Sequence, residues 1–211
     1  MSETPAVRAP RVVVITSMRD VPEAVLQERI RRARDLPPAA RARLAVQLRD
    51  PELSGRELYQ LGLRLRRATL DAGILLLVND RLDLARILGA DGVHLGRRSV
   101  SIEDARAFLG ARSFVSVACH SIADVVDAAS RGADAALLSP IFASPGKGEP
   151  IGLEAVQRAR EALDRAGLRL PIIALGGVDE TNAAACIEAG AHGVAGIRGD
   201  LFATPRFATQ G

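Results

Sequence analysis

Gln47 and Arg49 flank Leu48, so on an extended segment their side chains leave from one face. An amide beside a guanidinium on such a face suits an anionic ligand. Asn79-Asp80 and His120-Ser121 are polar pairs that close two other short apolar runs. A carboxylate at Asp80 can take a hard cation, and the imidazole of His120, with an ordinary pKa of about 6.5, can give or accept a proton near neutrality. Taken singly, Arg49 reads equally well as a surface charge, Asn79 as a turn residue, Asp80 as a helix cap and His120 as a hydrogen-bonded strand end. Their common place at the ends of apolar runs is what points to chemistry.

Two further features carry charge recognition. Segment 139–152, SPIFASPGKGEPIG, holds three prolines and three glycines and is long for a connection inside a compact fold, which suggests a lid or binding loop. Lys147 within it is the only lysine of the chain, every other basic side chain apart from histidine being arginine. A compact ammonium on a flexible stem can follow a phosphate or a leaving group as a loop closes. The turns Ala174-Leu175-Gly176-Gly177-Val178 and Gly193-Val194-Ala195-Gly196-Ile197-Arg198-Gly199 are glycine-rich, and exposed backbone N–H groups at Gly176, Gly177, Gly196, Ile197 and Arg198 can cradle an anion.

The elements that must position these residues follow from hydrophobic pattern. Apolar runs at 12–15, 44–48, 74–78, 92–95, 114–118, 135–138, 171–174 and 193–197 alternate with helical segments, the form of repeated βα units. Eight such runs close a single (β/α)8 TIM barrel, an α/β fold whose sites lie at the C-terminal strand ends. A doubly wound open sheet shows the same alternation, but no G-x-G-x-x-G follows the first run. Ser54 with Glu57, Ser101 with Asp104 and Ser121 with Asp124 mark helix starts, and Gly73, Gly89 and Gly132 mark helix ends. After Ser54, Leu58, Leu61, Leu65, Ala68 and Ala72 form one stripe, leaving Arg56, Arg64 and Arg67 for water. One barrel domain is expected over 11–204, with tails at 1–10 and 205–211.

Composition narrows the class. The chain has 211 residues, 48% hydrophobic and 25% charged, enough to bury one core. The net charge of +3 comes from arginines interspersed with acids, and aromatics are only 3%, which argues against nucleic acid. No long uncharged apolar run suggests a membrane span, and the polar start MSETPAVRAP lacks a secretory core, so a cytoplasmic location is expected. Cys119 and Cys186 match no metal or redox spacing and read as buried thiols. The oligomeric state stays open, a homo-oligomer included.

The ordered set Gln47-Leu48-Arg49, Asn79-Asp80-Arg81, Ala90-Asp91-Gly92-Val93-His94-Leu95-Gly96, Pro140-Ile141-Phe142 with Lys147 and Gly152, and Ala174-Leu175-Gly176-Gly177-Val178 with Asn182 resembles the successive motifs of thiamin phosphate synthases and the related thiazole tautomerases. The resemblance implies a (β/α)8 barrel acting on a thiazole phosphate. In the synthases a pyrimidine methyl pyrophosphate loses pyrophosphate and the thiazole nitrogen takes up the cationic methylene. By that resemblance Gln47 and Arg49 hold pyrophosphate, Asn79 the pyrimidine end, Asp80 a Mg²⁺, and Lys147 the leaving group. Ser144 and Gly177, with the backbone of Ile197 and Arg198, hold the thiazole phosphate.

Departures fall mainly on the pyrophosphate and metal side: Pro51 for a usual lysine, Ser99 for a second acidic Mg²⁺ ligand, Ala118 for a serine and Gly146 for a threonine. Leu95-Gly96-Arg97-Arg98-Ser99 resembles the tautomerases instead, and His120 lies where that branch is thought to carry its acid–base histidine. Arg97 or Arg98 could supply positive charge in place of a metal. The balance leans to tautomerase-like proton transfer, with the synthase as the alternative and a non-catalytic phosphate-binding barrel as a third class.

Overall fold

The structure, a computed structural model, describes residues 7–146 and 148–203. Eight parallel strands close a barrel in sequence order: β1 Val12–Ile15, β2 Leu44–Leu48, β3 Leu75–Asn79, β4 Gly92–Leu95, β5 Phe114–Cys119, β6 Ala135–Leu138, β7 Ile172–Ala174 and β8 Gly193–Gly196. Outside run α1 Glu23–Arg32, α2 Pro38–Arg41, α3 Gly55–Ala72, α4 Leu82–Ile87, α5 Ile102–Leu109, α6 Ile122–Ser130, α7 Glu154–Arg165 and α8 Ala183–Glu188. A 3-10 turn, Leu201–Ala203, follows β8. This is a single (β/α)8 TIM barrel, and the open sheet is ruled out by the pairing of β8 with β1. Among the described residues no helix is long and apolar enough to cross a membrane.

Alternation along each strand divides the core. Val13, Ile15, Ala45, Leu77, Phe114, Leu137, Ile173 and Ala195 fill the barrel, while Val12, Val14, Leu44, Val46, Leu48, Leu76 and Val78 face the helices. A Cβ on Gly92 would run into the Phe114 carbonyl and lie 2.7 Å from Phe114 Cβ, so glycine there makes room for the one aromatic of the interior cluster. The filling turns polar toward the C-terminal end, where Gln47, His94, Ser116 and Ser139 are buried.

Local signals set the boundaries. Ser54 and Ser121 close two-sided capping boxes with Glu57 and Asp124, and Ser101 accepts from the Asp104 N–H. Gly73 takes φ 68°, and the Ile74 N–H reaches back to Thr69 O at 3.0 Å. That bond ties Ile74 to the helix end, which is why β3 begins one residue later than the apolar run; it extends to Asn79, which pairs with His94. β5 extends one residue further, to Cys119, because that residue still pairs with Leu138. β7 starts after Pro171, and β8 ends at Gly196. Both cysteines are free and buried.

Candidate active site

The barrel mouth has two chemically different halves. On one side, Gln47 lies inside the barrel, and its Nε2 is buried without a partner among the described residues. Two strand positions later comes Arg49, whose backbone is clamped by Thr16: the hydroxyl donates to Arg49 O at 3.0 Å and accepts from Arg49 N at 2.9 Å. Several arginines of this chain are ion-paired, as Arg64 is to Glu23 and Arg131 to Glu103. The Arg49 guanidinium has no such partner among the described residues. A buried amide donor and a guanidinium without a partner among the described residues, on one face, make a wall that could bind an anion.

Next to this wall stand Asn79, His94 and Ser116, aligned across β3, β4 and β5 by register. Burial pushes the His94 pKa down to about 4, Asp80 opposing the shift and Arg49 adding to it, so the ring is neutral. Asp80 is the only non-glycine residue with positive φ, 59°, among those described. Its carboxylate is held by the Gly96 N–H at 2.8 Å, by Asn79 Nδ2 at 2.7 Å and by the Ser99 hydroxyl, and its own N–H donates to His94 O at 2.9 Å. A strained residue fixed by this many bonds is a candidate for function.

The fit for Mg²⁺ is limited. Among the described residues no three His, Cys, Asp or Glu side chains converge, and Asp80 is the only carboxylate bonded to Ser99. One carboxylate and a hydroxyl suit Mg²⁺ only when a ligand's phosphate oxygens complete the shell. Arg97 and Arg98 are exposed on the same connection.

His120, exposed just past β5, points its Nδ1 at Ser139 O, 2.9 Å away, and its N–H is taken by Asp124 at 2.8 Å. Nδ1 is therefore occupied by the β6 end, and only Nε2 is left for a ligand.

The other half of the mouth is backbone. Gly176 and Gly177 take φ of 97° and 63°, and a Cβ on Gly177 would lie 2.6 Å from Ala143 O, beside Ser144. Asn182 draws the Gly177 carbonyl outward at 2.9 Å, and Arg29 of α1 takes the carbonyls of Arg198 and Gly199 at 3.1 Å each. With the carbonyls bound from outside, the N–H groups of Gly177, Arg198 and Gly199 donate to no other described residue. Undonated N–H groups in such a turn can cradle an anion between the last two strands, and a Cβ on Gly196 beneath them would lie 2.8 Å from Val178 O.

The structure thus gathers Gln47, Arg49, Asn79, Asp80 and Ser99 on one side, Gly176, Gly177, Gly196, Ile197 and Arg198 on the other, and Ser144 beside the second group. Lys147 lies outside the described residues. Sequence reading missed Thr16, Ser116 and Arg29 as positioning groups and quoted His94 and Asn182 only within motifs. Grooves of about 400 and 380 Å³ lie between α1 and α3, the first lined by Arg56 and Arg64 and the second by Arg64 and Arg67.

The thiamine monophosphate synthase family model matches residues 12–199. A thiamine-phosphate synthase of Methanoculleus marisnigri is 41% identical over 169 residues, 76% of this chain and 78% of that protein. One from Gloeobacter violaceus is 41% identical over 160 residues, 75% of this chain but 46% of that longer protein. The solved thiamine phosphate pyrophosphorylase from Pyrococcus furiosus superposes with TM-score 0.75 at 28% identity, covering 94% of this chain and 93% of that one. These similarities go to synthases, and the lean toward a tautomerase is not supported. Ser99, one of the residues behind that lean with His120 and Pro51, donates its hydroxyl to the Asp80 carboxylate.

Proposed function

Because the chain belongs to the thiamine monophosphate synthase family, we propose that it joins a pyrimidine methyl pyrophosphate to a thiazole phosphate and releases pyrophosphate. The observation that carries this reading is the two-sided mouth: a side-chain wall at Gln47 and Arg49 faces a backbone cradle at Gly177 and Arg198. A proton transfer within one thiazole phosphate has a single phosphate to hold, whereas a coupling of two phosphorylated ligands has two anionic groups to hold, one for each half.

Arg49 and the Gln47 amide bind the pyrophosphate, and their positive potential favours its departure. Asn79 and His94 face the pyrimidine end. The cradle, with Ser144, holds the thiazole phosphate so that the ring nitrogen meets the methylene as its bond to pyrophosphate breaks. Asp80 with Ser99 would hold a Mg²⁺ delivered with the pyrophosphate, where the ion would neutralise leaving-group charge. Lys147 on loop 139–152 adds a cation when that loop covers the mouth. Both ligands are small molecules.

Calorimetry separates the two halves. Arg49→Ala should lose affinity for inorganic pyrophosphate by roughly tenfold or more while keeping thiazole phosphate. Gly177→Ala should do the reverse, because a Cβ there displaces the 142–144 backbone. If either variant weakens both ligands equally, the two-sided assignment fails.

A further inference from the structure

Ser116 is fully buried on the inward face of β5, and its Oγ lies 3.3 Å from Val93 O and 3.1 Å from His94 Nδ1. A carbonyl oxygen only accepts, and the Ser116 hydroxyl is placed to donate to Val93 O. The Ser116 oxygen is then left to accept from His94, which places the ring proton on Nδ1. No described residue bonds His94 Nε2. The ring sits in the layer of Asn79, close enough to Arg49 and Asp80 to feel both charges, so its free nitrogen belongs to the side-chain half of the mouth.

We propose that Ser116 is a positioning residue that fixes His94 as the Nδ1–H tautomer, leaving Nε2 as a hydrogen-bond acceptor for an N–H of the ligand in the mouth. That this ligand is the pyrimidine pyrophosphate rests on the synthase reading. The serine hydroxyl acts through a bond two strands deep in the wall and touches no ligand. With the opposite tautomer, Nε2–H would meet an N–H donor with another donor and exclude it.

The chain has three histidines, so ¹⁵N-histidine spectra of the ligand-free protein resolve His94 directly. The wild type should show Nδ1–H with a bare Nε2; Ser116→Ala should shift population toward Nε2–H, and Ser116→Thr should restore the original pattern. In turnover, Ser116→Ala should raise KM for the pyrimidine pyrophosphate about tenfold, with KM for thiazole phosphate changed by less than about twofold. An Nε2–H tautomer in the wild type, a pattern indifferent to Ser116→Ala, or an equal rise in both KM values would overturn the proposal. Failure of the wild type to turn over would remove the synthase reading alone, and the spectra would still decide the tautomer.

Discussion

Arg49 shows what a single side chain contributes at the mouth. Its backbone is fixed by the Thr16 hydroxyl, and its guanidinium pairs with no carboxylate among the described residues. Removing it should slow pyrophosphate release by roughly a hundredfold, the scale of one preorganised charge on a leaving group, with folding stability changed by less than about 1 kcal/mol. Steady-state rates and urea midpoints for Arg49→Ala check both. Ser99 touches the Asp80 carboxylate, so Ser99→Asp would add a hard oxygen ligand, and the Mg²⁺ concentration giving half-maximal rate should fall about tenfold. A rate indifferent to Mg²⁺ in both proteins would contradict that. His94 also links the site to stability. Its folded pKa, about 4, lies below the ordinary 6.5, so the unfolded chain takes the proton first. The stabilisation is complete above pH 6.5 and is lost as pH falls toward 4, by about 3 kcal/mol. His192, also lowered by burial, acts in the same direction, so His94→Gln should flatten the acid limb of the stability curve without abolishing it. Gln47, Arg49, Asn79 and Asp80 were legible in the sequence because each stands at a strand end. Ser116 was not, since its partner His94 is 22 residues away and hidden within another apolar run. Nor was Thr16, whose partner Arg49 is 33 residues away.

At the level of elements, the strands were readable because their period and caps are local. The one-residue disagreement at the start of β3 comes from the helix-end bond of Ile74, and β8 stops at Gly196, its last residue registered with β1, neither of which pattern alone shows. The cradle was half readable. Glycines at 176, 177, 196 and 199 announced turns, but the N–H groups of Gly177, Arg198 and Gly199 are left undonated among the described residues where Asn182 and Arg29 hold the carbonyls of the same residues, and Arg29 lies on α1, at the other end of the chain. Gly92 makes a separate demand: a Cβ would strike the Phe114 backbone of the neighbouring strand, which cannot yield without opening the β4–β5 ladder. Gly92→Ala should therefore cost more than about 3 kcal/mol in urea denaturation, and a cost near that of an ordinary strand substitution would mean the barrel floor is looser than described. Loop 139–152 supplies the chain's one lysine. Amine labelling of Lys147 should slow when thiazole phosphate and pyrophosphate are both present, and equal labelling with and without ligands would reduce it to a surface charge.

The whole molecule is a barrel packed with apolar side chains up to the level of Leu77, Phe114 and Leu137 and polar above them, so the buried polar groups Gln47, His94, Ser116 and Ser139 gather toward one end. Closure of β8 on β1 sets the backbone cradle of the late strands across from the side-chain wall of the early ones, which an open sheet of the same strands would leave at opposite edges. The central claim is that this mouth couples two ligands instead of rearranging one. The direct measurement is pyrophosphate release from the pyrimidine methyl pyrophosphate, followed with and without thiazole phosphate in the presence of Mg²⁺, with the coupled product identified by mass. The account predicts release that depends on thiazole phosphate and matches product formation one for one. Aromatisation of a thiazole carboxylate phosphate with no thiazole-dependent pyrophosphate release would contradict it.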